Sequence, residues 1–181
     1  MRTELIELVE SLQPLDEVGG RHRDEALAWL RRTDDVYRRV KPAMPSPHLV
    51  VYFLLVDRAA GRVLLCDHRL AGLWLPTGGH VEPGEDPADT VRREAEEELG
   101  LLDPPVTAPF LLTVTETVGE PESRHTDVTL WYAVPADAAT PLTPDAREFA
   151  GVRWWTAADI AAAWPGRFEP HLLRGLAALG L

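Results

Sequence analysis

Residues 86–101, DPADTVRREAEEELGL, leave little choice of conformation. Asp86 suits a helix N-cap, Pro87 suits the first turn, and Gly100 supplies the left-handed residue on which many helices end. The spacing predicts a helix over 87–99. Within it Glu94, Glu97 and Glu98 stand at i, i+3 and i+4 and share a face, whereas Glu96 is rotated off it. Like charges at those spacings weaken a helix by about 0.2–0.5 kcal/mol per pair. A solvated face is the ordinary reason for such a run. The alternative is a hard-oxygen ligand set, complete only when a divalent cation such as Mg²⁺ or Mn²⁺ is bound. The preceding loop carries Gly78, Gly79 and Gly84, residues that let backbone groups approach a metal or a phosphate closely.

Charge along the chain bears on the same question. The net charge is −11, which argues against nucleic acid as a general partner. Residues 1–47 hold eight Lys/Arg against nine Asp/Glu, so almost all the excess acid lies in 48–181. An anionic ligand bound there needs a mediating cation. No apolar run is long enough to span a membrane, and the acidic, amphipathic start MRTELIELVESLQ does not read as a secretory signal. The single cysteine, Cys66, lies in the apolar run VLLC and reads as a buried thiol, which points to a reducing, cytoplasmic setting.

Periodicity divides the 181 residues into a helical extension at 1–47 and a main domain at 48–181. Helices are expected at 3–13 and 22–34, with DEVGG a turn between them and the proline-rich 41–47 a linker. Strands are expected at HLVVYFLLVD, RVLLCD, GLWL, FLLTVTETV, TDVTLWYAV and GVRWWT. Helices follow at AADIAAAW, capped by Thr156, and at about 168–179. Adjacent strands without intervening helices favour a mixed sheet over a doubly wound parallel one.

Counting from Gly79, five residues lead to Glu85, seven more to Arg93, and then REAEEELGL runs to residue 101. This resembles the Nudix box, Gly-x5-Glu-x7-Arg-Glu-U-x-Glu-Glu-x-Gly-U with U aliphatic. Gly79, Glu85, Arg93, Glu94, Glu97, Glu98 and Gly100 occupy the fixed positions, and Ala95 and Leu101 the aliphatic ones. Chance would produce such a match at roughly 10⁻⁸ per window. The similarity extends over about 48–164; one departure is Thr77, where many members have glycine after proline. The resemblance implies an α/β/α sandwich around a mixed sheet, preceded here by the helical extension.

It also implies metal-dependent hydrolysis of a nucleoside diphosphate linked to another moiety. The metal ligands would be Glu94, Glu97 and Glu98 with the Gly78 carbonyl, and Arg93 and Glu85 would pair to orient the loop on the helix. The general base would be a box glutamate or one from a later loop, with Glu148 ranked first and Glu116 and Glu120 after it. Arg69 is a candidate phosphate contact, and His125 with Asp127 a candidate lid or base-reading pair. Trp74, Trp131, Trp154 and Trp155 are candidates for nucleobase stacking, or core. Family markers for ADP-ribose, diadenosine polyphosphates and coenzyme A are absent, leaving a nucleoside triphosphate or a related nucleotide as the expected substrate. Two other readings stay open: a catalytically silent Nudix-fold binding or regulatory protein, and a prenyl diphosphate isomerase, which would want a cysteine in the pocket. The apolar faces of the N-terminal helices are expected to pack on the main body or on a second subunit, which leaves the oligomeric state open and a homodimer as one outcome.

Overall fold

Strand β1 (His48–Asp57) organises the molecule, because its alternating side chains are buried on both faces of a sheet. Leu49, Val51, Phe53 and Leu55 join one hydrophobic cluster, and Leu54 and Val56 join a second. A strand apolar on both faces must be covered on both. The computed structural model describes residues 2–40, 44–117, 124–163 and 166–181. Around β1 it places α1 (Arg2–Ser11), α2 (Glu17–Leu30), β2 (Arg62–His68), β3 (Leu73–Leu75), β4 (Thr77–His80) and α3 (Pro87–Leu99). The later elements are β5 (Leu111–Glu116), β6 (Thr126–Pro135), β7 (Phe149–Thr156), α4 (Ala157–Ala162) and α5 (Leu172–Leu179). Helices α1, α2 and α3 cover the first cluster, while α4 and α5 cover the second. The result is the mixed-sheet α/β/α sandwich.

The sheet runs β3-β2-β1-β6-β5, with β4 also on β1 and β7 also on β2. β1 and β6 are parallel, and the other pairings are antiparallel. β1 changes partner along one edge: Val56 and Asp57 pair with β2, whereas Val50 to Phe53 pair with β4. The sheet therefore forks, and the fork is the opening into which α3 directs its acid.

The N-terminal helices pack on the main body. Leu5, Val9, Ala26 and Leu30 are all buried in the first cluster, so the apolar faces that suggested a dimer are covered within the chain. Beyond α2, Ser46 Oγ accepts a hydrogen bond from the Thr126 N–H, which ties the 44–47 segment to β6. Helix α2 starts earlier than expected, taking in most of the supposed DEVGG turn. Asp16 caps it by accepting from the Gly19 N–H at 2.7 Å, and the same carboxylate pairs with Arg174 of α5. A capped first turn with a tertiary anchor overrides the weak helix preference of two glycines. α5, by contrast, starts later than expected. The Trp74 N–H donates to the Arg167 carbonyl and the Glu169 N–H to the Trp74 carbonyl, so that stretch lies extended beside β3.

Candidate active site

Helix α3 carries the site and is held as its ends predict. Asp86 accepts from the Ala88 N–H, Pro87 opens the first turn, and Gly100 closes the helix at φ 66°. Val91, Ala95 and Leu99 are fully buried, which turns Glu94 and Glu98 toward the fork. The small side chain of Ala95 suits the close approach of α3 to the sheet.

Two adjacent glycines admit the glutamates. A Cβ on Gly79 would lie 2.1 Å from Glu94 Oε1, and the Gly78 N–H donates to Glu98 Oε2 at 3.0 Å. Gly78 has φ 149° and its missing Cβ would strike the Val51 carbonyl oxygen, so only glycine fits there. Thr77, the departure noted above, belongs to β4 and donates its hydroxyl to the Phe53 carbonyl, away from the site.

Arg93 ties loop to helix. Its Nε and Nη2 reach the two Glu85 carboxylate oxygens at 2.9 and 3.0 Å, and Nη1 reaches Glu94 at 2.8 Å. Burial alone would raise Glu85, but Arg93, the Glu82 N–H and the Thr90 hydroxyl together hold it below the usual range. The other acids move the opposite way. Burial pushes Glu94 up despite Arg93. Glu98 is pushed up to about 9, first by burial, then by Glu94 and Glu148, whose carboxyl hydrogen-bonds it. At Glu98 the protonated form is therefore favoured unless a cation takes the proton's place.

Glu94, Glu97, Glu98, Gly78 and Glu148 thus meet on the wall of one cavity of about 530 Å³. Glu97 is the open member, at 61% side-chain exposure, while Glu96 is exposed and off the cavity wall. Arg69 does not line the cavity: it is exposed and its Nε donates to the Ala146 carbonyl, bracing the loop that carries Glu148. His125 stands back from the wall with its Nε2 3.3 Å from Asp127. Glu116 is exposed at the end of β5, off this wall, and Glu120 lies outside the described residues. None of the four tryptophans lines the cavity, and Trp131 is fully buried with its Nε1 on Thr113.

Arg38 and His80, which the sequence did not single out, also line the cavity. Arg38 comes from the helical extension, where the box motif has no reach. His80 directly follows the box glycine in GGHVE, and its sheet register with Val50 was the missing signal.

The NUDIX domain model matches residues 46–174. An isopentenyl-diphosphate delta-isomerase from Brevibacterium linens is 31% identical over 138 residues, covering 70% of this chain and 72% of that protein. Among solved structures, a NUDIX-family hydrolase from Clostridium perfringens shares 24% identity at a TM-score of 0.55, covering 74% of this chain and 96% of its own. The dihydroneopterin triphosphate pyrophosphohydrolase of E. coli superposes at a TM-score of 0.58 with 16% identity, over 81% of this chain and all of its own. The chain belongs to the NUDIX family. It is a Nudix hydrolase, of the class that cleaves diphosphate bonds in small nucleotide-like substrates with divalent cations. Among the described residues no helix is long and apolar enough to cross a membrane.

Proposed function

We propose that the chain is a Mg²⁺- or Mn²⁺-dependent pyrophosphohydrolase acting on a nucleoside diphosphate linked to another moiety, with nucleoside and deoxynucleoside triphosphates as first candidates. The observation that carries this reading is the convergence of Glu94, Glu98 and Glu148 on one cavity, in a gap that a single Cβ on Gly79 would fill. The donors are all oxygen, as Mg²⁺ and Mn²⁺ prefer, and burial raises Glu94 and Glu98, which favours a cation in place of their protons.

Glu94, Glu97 and Glu98, with the Gly78 carbonyl, would hold the ion. When bound, it neutralises phosphate oxygens and makes water a competent nucleophile near neutral pH. The chain's own residues supply the rest. Arg93 and Glu85 keep the loop and helix in register. Glu148 is the general base, taking the proton of the attacking water as the phosphorus–oxygen bond to the leaving group breaks. Arg38, which also lines the cavity, adds positive charge for a phosphate oxygen. A smaller, mostly apolar pocket of about 150 Å³ shares Tyr52, Leu75 and Asp127 with the cavity and suits the organic end of the substrate. Buried Glu169 lines it, pushed up to about 8 by burial, and so carries a proton to donate at neutral pH.

The Brevibacterium relative favours a second reading, isomerisation of a prenyl diphosphate. Cys66 speaks against it: the thiol is fully buried, burial raises its pKa, and it is not on the cavity wall. The test is a panel of nucleoside triphosphates, dinucleotides, nucleotide sugars and isopentenyl diphosphate with Mg²⁺ or Mn²⁺. The proposal expects at least one nucleotide to be cleaved in a metal-dependent way. An inert nucleotide panel with turnover of isopentenyl diphosphate would replace it.

A further inference from the structure

A second constellation, made of residues other than the fixed positions of the box, opens on the same cavity. The strand registers build it. His48 on β1 is the register partner of Asp127 on β6, and His80 on β4 pairs with Val50, two residues along from His48. His125 precedes Asp127 by two. With a side-chain period of two, all four fall on one face of the sheet. One ligand atom from each lies within 4.8 Å of all the others. A tetrahedral Zn²⁺ site with bonds near 2.05 Å needs neighbours about 3.3 Å apart; the 3.2 and 3.3 Å separations at Asp127 already fit, and pairs as far apart as 4.8 Å close by about 1.5 Å on binding.

Protonation sharpens the case. His48 has no exposed surface, and its Nδ1 lies 2.6 Å from the Pro45 carbonyl oxygen. A carbonyl only accepts, so Nδ1 carries a hydrogen, and in the neutral ring Nε2 presents a lone pair. That Nε2 lies 3.2 Å from Asp127 Oδ1, yet both are buried atoms without a hydrogen-bond partner. With the ring neutral and its hydrogen on Nδ1, two acceptors thus face each other. A proton on His48 Nε2 would relieve one contact. The same Oδ1 also meets His125, whose Nε2 lies 3.3 Å away and whose Nδ1 lies at Thr117 Oγ1. Histidines that ligate metals have this form: one ring nitrogen anchored to a carbonyl or hydroxyl, the other aimed at the ion.

We propose that His48, His80, His125 and Asp127 form a second metal site, for Zn²⁺ or another late first-row divalent cation, distinct from the glutamate site. Three imidazoles and one carboxylate select such ions over Mg²⁺, whereas the box glutamates do the reverse. Entry is through the cavity, since His80 and Asp127 line its wall. The occupied site places a fixed positive centre beside the space where an anionic substrate lies, on a wall otherwise dominated by acid. None of this rests on the hydrolase reading, and metal content tests it without turnover.

The experiment starts from the full chain stripped with a chelator, then dialysed against Zn²⁺ or Co²⁺ in excess Mg²⁺. Elemental analysis should find one equivalent of tightly held Zn²⁺, and the Co²⁺ form should show the intense visible absorption of a nitrogen-rich, low-coordinate site. His80→Gln and Asp127→Asn should each weaken Zn²⁺ binding about 100-fold or more and abolish the Co²⁺ band. Glu94→Gln should leave both unchanged. Circular dichroism of the stripped variants separates lost ligation from lost folding, and Asp127→Asn, half-buried at the strand start, is the variant best placed to remain folded. The proposal fails if the wild-type chain retains no Zn²⁺ under Mg²⁺. It also fails if Glu94→Gln removes the tightly held ion, or if a folded Asp127→Asn binds it as the wild type does.

Discussion

Gly79→Ala should separate activity from stability, because what a methyl group meets there is functional and movable. Gly79 has an ordinary φ, so the backbone accepts alanine. The new Cβ would sit 2.1 Å from Glu94 Oε1 and 2.5 Å from its Cδ, against 3.4 Å for ordinary contact. Glu94 must therefore retreat by about 1.3 Å, abandoning its place on the cavity wall. A displacement of about 1 Å at a reacting centre costs on the order of 10²-fold in rate, or about 2.7 kcal/mol of transition-state stabilisation. The fold loses little, since a side-chain tip moves and Arg93 keeps its bidentate hold on Glu85. Gly78→Ala, one residue earlier, is the opposite case: its Cβ would strike the Val51 backbone at 2.0 Å with φ at 149°, and neither can yield. The assays are Mn²⁺ affinity by electron paramagnetic resonance, kcat/KM on the best nucleotide of the panel, and thermal melting. Gly79→Ala should lose about two orders of magnitude in kcat/KM, with weaker Mn²⁺ binding and a melting temperature near wild type. Gly78→Ala should not fold stably. Wild-type kcat/KM and Mn²⁺ affinity in Gly79→Ala would refute the placement of Glu94 at the site.

Glu148→Gln should lower kcat by about 10²–10⁴-fold with KM within a few-fold, as loss of a general base requires; unchanged kcat in steady-state kinetics would assign that role elsewhere. Arg38→Ala should raise KM for a nucleotide about tenfold while sparing kcat, and an unaltered KM would remove Arg38 from phosphate binding. Glu169 has an ordinary carboxyl pKa when unfolded and one of about 8 when folded, so between those values the folded state binds more protons and stability falls as pH rises. Thermal melts of Glu169→Gln should show a flatter decline between about pH 5 and 8 than the wild type; parallel curves would contradict the buried acid.

Much of this was legible in the sequence because the information was local. The capped helix 87–99, its buried Val91–Ala95–Leu99 stripe and the shared face of its glutamates follow from spacing along one element. Glu148 could be ranked only by its place before the last strand, and its contact with Glu98 depends on how β7 pairs with β2. The His/Asp constellation lay further out of reach. His48, His80 and Asp127 come from three strands, and only the parallel register of β1 with β6 and the antiparallel register with β4 align them. Arg69 lies off the cavity wall for the same kind of reason: proximity to a strand end says nothing about which way the side chain leaves it. The glycines of DEVGG misled because Arg174, 158 residues from Asp16, braces the cap that starts α2.

The central claim is that Glu98, buried behind Gly78, organises metal-dependent attack of water on phosphorus. Phosphorus-31 magnetic resonance of reactions run in ¹⁸O-labelled water tests it directly, with nucleotides and isopentenyl diphosphate as parallel substrates. The account predicts cleavage of a nucleotide diphosphate bond with one labelled oxygen in a phosphate product, dependent on Mg²⁺ or Mn²⁺ and lost in a folded Glu98→Gln. Unlabelled products, undiminished cleavage by Glu98→Gln, or a shifted double bond in isopentenyl diphosphate with its phosphates intact and no nucleotide cleaved would contradict it.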